Sequence, residues 1–457
     1  MRKKILIRAP ALSRSGYGEQ ARFALRALRG HEEQFDIHLI NTNWGATGWL
    51  STDDEERRWI DFLIGKTNQL VQQPTTGPDT FDVSLQITIP NEWNDIARTN
   101  IGYTAGIESS KITPVWVEKA NSMDRIIVVS EHAKHGFDNS SYQATHKETG
   151  EVIPDFKCQT PVDVVNFPVR QAGDTHSPAH IDVSEGLDIS FESKFNFLAI
   201  AQNGPRKNLY NTVKWFVDEF KDDPDVGLVL KIFSHNNSTM DRHFTYNLVT
   251  SMLNAYGEGE VKCKLYLVHG EMSDSELGAL YVHPDIHCLV NLAHGEGFGL
   301  PIFEAVCAGL PVLAPEWGGQ LDYLYAPTTK KKTNKTKMRP HFCRVKYELK
   351  PVQEEAHWEG VIQPDSVWCY PTVNSYRKCL RDVVQDYNKY KSLAKKLKTH
   401  ILKTHTFKKQ SEKFVSVITE ACATTTQEII SKIPAASIVA PVSLSPPPAS
   451  SNVITFE

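Results

Sequence analysis

Short apolar runs alternate along the chain with longer stretches in which apolar residues recur every three or four positions. The runs Ile5–Arg8, Phe35–Asn41, Val83–Ile89, Thr99–Tyr103, Arg125–Val129 and Val162–Asn166 predict strands, and the stretches between them predict helices, the first over Glu19–Leu28. Strands alternating with helical patterns make a parallel sheet covered by helices. The pattern lapses over 138–160, a polar stretch predicted as an inserted loop, and over 171–193, where Gly173, Pro178, Gly186 and several acids predict a linker. A second series follows, with strands predicted at Phe195–Ala201, Gly227–Phe233, Lys264–Val268, Ile286–Leu292 and Val312–Ala314. Helical patterns return over Val373–Lys398 and Thr406–Ala421, and from about Thr424 Ser, Thr, Pro and Ala predict an unpacked tail. The organisation predicted is α/β, with two doubly wound units, 1–170 and 194–404, joined by the linker 171–193 and followed by a helix over 405–423 and the tail 424–457.

The most informative stretch is Ala293–Asp322, AHGEGFGLPIFEAVCAGLPVLAPEWGGQLD. It follows an apolar strand and is too rich in glycine to continue it. Pro301 suits the first turn of a helix, where its missing N–H is not needed, and Gly309 suits the end. The resulting strand–turn–helix aims free N–H groups and the positive end of the helix dipole into the turn, a geometry that suits a diphosphate. Two carboxylates, Glu296 and Glu304, frame it. A carboxylate repels phosphate but accepts hydrogen bonds from vicinal hydroxyls, so the combination suggests a sugar nucleotide. The alternative is an ordinary βα unit with both glutamates on its surface.

The whole string resembles the donor-site signature of the retaining glycosyltransferases of family 4, which have the GT-B fold and read E-G-F-G-L-P-x-x-E-A…G-x-P-V. Glu296, Gly297, Phe298, Gly299, Leu300, Pro301, Glu304, Ala305, Gly309, Pro311 and Val312 all fit. The resemblance implies two Rossmann-like domains facing across a cleft, with the donor on the second and the 405–423 helix crossing back to the first. It implies that Glu304 holds the ribose, and that Glu296 and the Phe298–Gly299 backbone, with Gly297 and Leu300, address the donor sugar and diphosphate.

Other turns carry chemistry of the same kind. Ser13-Arg14-Ser15-Gly16-Tyr17-Gly18 opens the first helix; the family places a glycine-rich turn here at the cleft, which makes Gly16 a donor-side candidate and Arg14 and Tyr17 candidates for phosphate or acceptor. Glu108, in Thr104-Ala105-Gly106-Ile107-Glu108, follows a strand where open α/β sheets bind ligands; it is an acceptor-side candidate, or a cap. His132 follows the next strand and is read as acceptor-side or structural. Arg206 and Lys207 stand at a strand-to-helix turn, where a pair of cations clamps phosphate or is simply solvated. The family carries a basic pair there for the diphosphate, although Gln202-Asn203 replaces its usual Gly-Arg opening. Lys231 ends an apolar strand and is read as a phosphate contact or an edge-strand lysine.

Hydrophobic content of 40%, charged content of 23% and a formal net charge of −4 describe a globular protein with no global attraction to nucleic acid or anionic lipid. No apolar run reaches transmembrane length, and Met1–Ile7 is too short for a signal peptide. The eight cysteines are scattered, with no C-x-x-C spacing and no zinc-like cluster, so reduced cysteines, a cytoplasmic location and no metal are expected, with a peripheral membrane position as the alternative. Lys330, Lys331, Lys332, Lys335 and Lys337 begin a strongly basic segment, 330–350, which is read as a solvated loop or as a patch for an anionic acceptor. The expected activity is retaining transfer of a sugar from a UDP- or GDP-sugar to a hydroxyl of a glycan, lipid or modified nucleic acid. The alternatives are an epimerase or phosphorylase on the same fold, or an inactive sugar-nucleotide-binding module.

Overall fold

The computed structural model describes residues 2–73, 80–145, 150–170, 183–184, 186–254, 256, 261–329 and 334–427. Its framework is two six-stranded, all-parallel sheets. The first runs in the order Phe35–Asn41, Lys3–Ala9, Val83–Ile87, Thr99–Thr104, Arg125–Val128, Val162–Val164. The second runs Lys264–Val268, Val226–Phe233, Phe195–Gln202, Ile286–Val290, Val312–Pro315, Cys343–Val345. Counted within its own sheet, the first is 2-1-3-4-5-6 and the second 3-2-1-4-5-6. Both orders reverse direction once, and ligands of open α/β sheets sit beyond the carboxyl ends of the strands at that reversal. In the second sheet the reversal lies between Phe195–Gln202 and Ile286–Val290.

Local sequence explains the elements. Val226–Phe233, VGLVLKIF, is buried over nearly its whole length, as a central strand covered on both faces must be. Val213, Phe216, Val217 and Phe220 form one apolar stripe on the Leu209–Phe220 helix and pack onto the sheet at Phe197. The Gly16–Arg29 helix starts at Ser15, whose Oγ accepts from Gly18 N at 3.0 Å. The Asp274–Tyr281 helix starts with a reciprocal capping box between Ser273 and Glu276.

The Phe407–Gln427 helix packs on the first sheet, far from its chain neighbours. Phe414 sits 5.5 Å from the rings of both Phe23 and Tyr103, and Arg125 Nη2 lies 3.5 Å from Glu420 Oε2. Just before it, Val169 N donates to His405 O at 2.7 Å, tying the exit of the first sheet to the return of the chain. Two stretches read as loops contain strands. In 138–160, Ser141–Thr145 and Val152–Lys157 pair as an antiparallel hairpin. In 330–350, Thr336–Pro340 pairs with Tyr325–Thr329 as a ribbon, and Cys343–Val345 becomes the edge strand of the second sheet. Polar sequences of this kind hide hairpins because both faces of a protruding ribbon meet water and no alternation appears. Lys335, Lys337 and Arg339 are exposed on that ribbon; Lys330, Lys331 and Lys332 lie outside the described residues, as do most of the 171–193 stretch and the tail from 428. Among the described residues no helix is long and apolar enough to cross a membrane.

Candidate active site

Two loops meet at the reversal of the second sheet. After Phe195–Gln202 the chain makes a single 3-10 turn, Pro205–Lys207, and Asn208 takes a left-handed conformation, φ 53°. Asn208 Nδ2 donates to Leu292 O at 3.1 Å, and His294 N donates to Arg206 O at 2.8 Å, fastening this turn to the loop that follows Ile286–Val290. The fastening brings three charged groups together. Lys207 Nζ donates to Glu296 Oε1 at 2.6 Å, and Arg206 Nη1 donates to Glu296 Oε2 at 3.1 Å and Gly295 O at 2.7 Å. Asn291 Nδ2 adds a bond to Glu296 Oε1 at 3.1 Å. Burial pushes the Glu296 carboxyl up, but Lys207 and then Arg206 outweigh it and hold its pKa at about 2. Glu296 is therefore ionised at neutral pH. Lys207 is pulled below the usual lysine range by burial and by the Arg206 charge.

The first sheet closes over this cluster. Glu108 Oε1 lies 3.2 Å from Arg206 Nη2, completing two cations against two carboxylates. The approach is close enough to require glycine: a Cβ on Gly295 would stand 2.0 Å from Glu108 O, and one on Gly297 2.7 Å from Ala105 O. Ser130 Oγ donates to Gly297 O at 2.5 Å, and Asp322 Oδ2 accepts from Glu131 N at 3.0 Å and from Asn166 Nδ2 at 2.9 Å.

Beyond the loop, the Leu300–Ala308 helix begins at Gly299, which is left-handed at φ 84° and offers no side chain to cap the first amides. A helix start with no side-chain cap is a setting that suits an anion. The Phe298 ring packs on Tyr323, Phe303 and Phe167, so only the backbone of this residue faces the turn. Glu304 lies inside the helix. Tyr281 Oη donates to its Oε2 at 2.9 Å, and Arg170 Nη2 stands 3.5 Å from its Oε1. Burial raises the Glu304 pKa, and Arg170 and Tyr281 only partly oppose it.

No protein-family model matches this chain, and no curated protein does. Solved structures do. HepE from Anabaena, solved with UDP and glucose, aligns at TM-score 0.54 and 11% identity over 92% of this chain and 100% of its own. Sucrose-phosphate synthase from Thermosynechococcus elongatus aligns at TM-score 0.54 and 10% identity, covering 93% and 100%. The UDP-forming trehalose-phosphate synthase from Burkholderia xenovorans aligns at TM-score 0.55 and 10% identity, covering 92% and 99%. The chain has the GT-B fold.

Within this GT-B framework the remaining sequence candidates are distributed unevenly. Gly16 faces the start of the Leu300–Ala308 helix, where a Cβ would stand 4.0 Å from Leu300 Cδ1. Arg14 crosses between the sheets, Nη1 donating to Met272 O at 3.1 Å. Tyr17 is buried, and its hydroxyl is bonded to Thr104 Oγ1 at 2.7 Å, so it shapes the loop that carries Glu108 and has no free hydroxyl to offer. Lys231 Nζ donates to Gly270 O at 2.5 Å, inside the second sheet's own edge loops. His132 packs edge-on against Trp317 at 4.7 Å; burial lowers its pKa to about 4, and its buried Nε2 has no hydrogen-bond partner among the described residues. Sequence reasoning passed over Asn291, Tyr281 and Arg170. Asn291 could have been found as the residue at the carboxyl end of the strand before the motif. Arg170 and Tyr281 carry no local signal at all.

Proposed function

We propose that this protein is a retaining glycosyltransferase that moves a sugar from a nucleoside-diphosphate sugar to an acceptor hydroxyl. One observation carries the reading: the motif glutamate Glu296 is held ionised between Arg206 and Lys207 at the reversal of the second sheet, beside an uncapped helix N-terminus. Arg206, Lys207 and the amides at Phe298–Leu300 stabilise the charge that develops on the departing diphosphate. A diphosphate entering here takes Arg206 from its present carboxylate partners. Glu304 accepts the ribose hydroxyls, and Glu296 with the Gly297–Gly299 backbone addresses the donor sugar. Lys231 supports the phosphate side. Arg14, Glu108 and His132 face the acceptor, with Tyr17 ordering their loop. The leaving diphosphate helps deprotonate the acceptor on the same face, which retains configuration, and positioning supplies much of the rate. The mechanism needs no resident metal. The exposed ribbon bearing Lys335, Lys337 and Arg339 is the docking element for an anionic acceptor.

The UDP and glucose bound to HepE and the UDP-forming trehalose-phosphate synthase favour UDP-sugars as first donors to test. A panel of UDP- and GDP-sugars is scored for nucleoside-diphosphate release, with and without glycan, lipid and modified-DNA acceptors. Acceptor-dependent release with retained configuration is expected. Isomerised sugar from donor alone would instead identify an epimerase, phosphate-dependent turnover a phosphorylase, and binding without turnover a binding module.

A further inference from the structure

We propose that Tyr281 is a positioning residue that gives Glu304 its preference for ribose over 2′-deoxyribose in the bound nucleotide, an inference that rests on the glycosyltransferase reading. Tyr281 closes the Asp274–Tyr281 helix, whose start is locked by the Ser273–Glu276 capping box. The residue is 3% exposed, and its hydroxyl donates to Glu304 Oε2. A buried tyrosine hydroxyl requires a partner, and here the partner is the one carboxylate inside the donor helix. Glu304 has no comparable hold on its other oxygen. Arg170 stands 3.5 Å from Oε1 and is shared, with Nη1 3.1 Å from Asp274 Oδ1 and Nη2 3.4 Å from Glu19 Oε2. One carboxylate oxygen is thus fixed by a short bond from a rigid helix end. The other touches a guanidinium already engaged by two more acids, and it is the oxygen free to exchange partners.

A carboxylate has about four lone-pair sites, and Tyr281 occupies one of them. Its bond stops the flexible Glu304 side chain from rotating onto Arg170 as a two-oxygen pair, the geometry that guanidinium and carboxylate favour. With Tyr281 present, Oε1 is presented in one orientation to an incoming hydroxyl. Without it, Glu304 turns toward Arg170, and a 2′-hydroxyl meets no oriented acceptor.

The test is calorimetric titration of full-length wild type, Tyr281→Phe, Glu304→Gln and the double variant with UDP and 2′-deoxy-UDP, and with GDP and 2′-deoxy-GDP in parallel. Tyr281→Phe removes one oxygen and keeps the ring in the core. It is expected to weaken the ribonucleotide by about tenfold and the deoxynucleotide far less, so that the affinity ratio falls toward one. Because Tyr281 acts through Glu304, the double variant is expected to bind no more weakly than Glu304→Gln alone. Glu304→Asp, which withdraws the carboxylate from an intact Tyr281, is expected to lose the ratio too, and gives a second reading should Tyr281→Phe fold poorly. Equal weakening of both nucleotides in Tyr281→Phe, additive losses in the double variant, or an unchanged ratio overturns the inference alone. A wild type that binds none of the four nucleotides overturns the proposed function together with it.

Discussion

Glu296 and Glu304 lie eight positions apart in one loop-and-helix unit, and the fold treats them in opposite ways. Both are buried. Glu296 sits where two strand-end loops converge, and the convergence delivers Lys207 at 2.6 Å and Arg206 at 3.1 Å, so its pKa falls to about 2. Glu304 sits one helical layer back, receives a neutral tyrosine hydroxyl and a distant, shared guanidinium, and its pKa rises. Burial disfavours the charged form of both; the outcome is decided by how many opposite charges arrive within hydrogen-bond distance. The difference lies in how much acceptor capacity each has left. A carboxylate pinned between two cations belongs to the electrostatic frame of the site, whereas one left with spare acceptor capacity is available to a neutral ligand.

The largest effect is expected when the frame itself is broken. Lys207→Met removes the shortest bond to Glu296 and, under the proposed function, a donor to the leaving diphosphate, and nucleoside-diphosphate release at saturating donor should fall by about a hundredfold or more. A turnover within a few-fold of wild type would return Lys207 to a structural role.

Next comes Glu304→Gln, which halves the acceptor capacity of the group proposed to take the ribose. The dissociation constant for UDP should rise by roughly 10- to 150-fold, read by calorimetry. Stability should hold or improve slightly at neutral pH, since removing a carboxylate whose charge the fold disfavours removes a penalty. A lowered urea midpoint would show that Glu304 is held for the fold and not for a ligand.

Glu296→Gln should behave in the opposite sense. It leaves Arg206 and Lys207 facing only Glu108, and breaking a buried pair of this kind costs about 3 kcal/mol, measured as a lowered urea midpoint at unchanged slope. The pH dependence follows from the depressed pKa. The Glu296 contribution is fully present above the unfolded carboxyl value, about 4.3, and is lost as pH falls through about 2. The wild type should therefore lose stability steeply over that window, and Glu296→Gln should lose less.

The smallest effect is expected far from both carboxylates. Replacing Lys335, Lys337 and Arg339 with glutamine on the exposed ribbon should change stability by no more than about 0.5 kcal/mol and leave donor-only turnover intact. Transfer to an anionic acceptor should weaken and lose its salt sensitivity. Transfer that keeps the wild-type salt profile would leave the ribbon without a docking role.

Much of this could be read from the chain because the signals are local. The two series of apolar runs marked every strand of the two sheets but the last, to within a few residues. Gly299, Pro301 and Gly309 marked the Leu300–Ala308 helix, which starts at a left-handed glycine and ends at another. The short edge strand Cys343–Val345 was hidden inside a basic polar stretch, and Tyr17, read as a candidate for phosphate or acceptor contact, bonds its hydroxyl to Thr104. In both cases the residue type was compatible with more than one neighbour, and the sequence does not name neighbours.

What the sequence alone determined is the alternation that makes two parallel sheets, the glycine-rich turn at a helix N-terminus, and the presence near it of two glutamates and two cations. What only the tertiary structure decided is which charges meet. Arg206 reaches Glu296 and Glu108 from 90 and 98 positions away, and Arg170 reaches Glu304 across 134. Periodicity and capping act over a few residues and leave their marks in the sequence. Charge pairing acts over a few ångströms, and distances on that scale exist between these residues only after the strand order has brought the loop ends together.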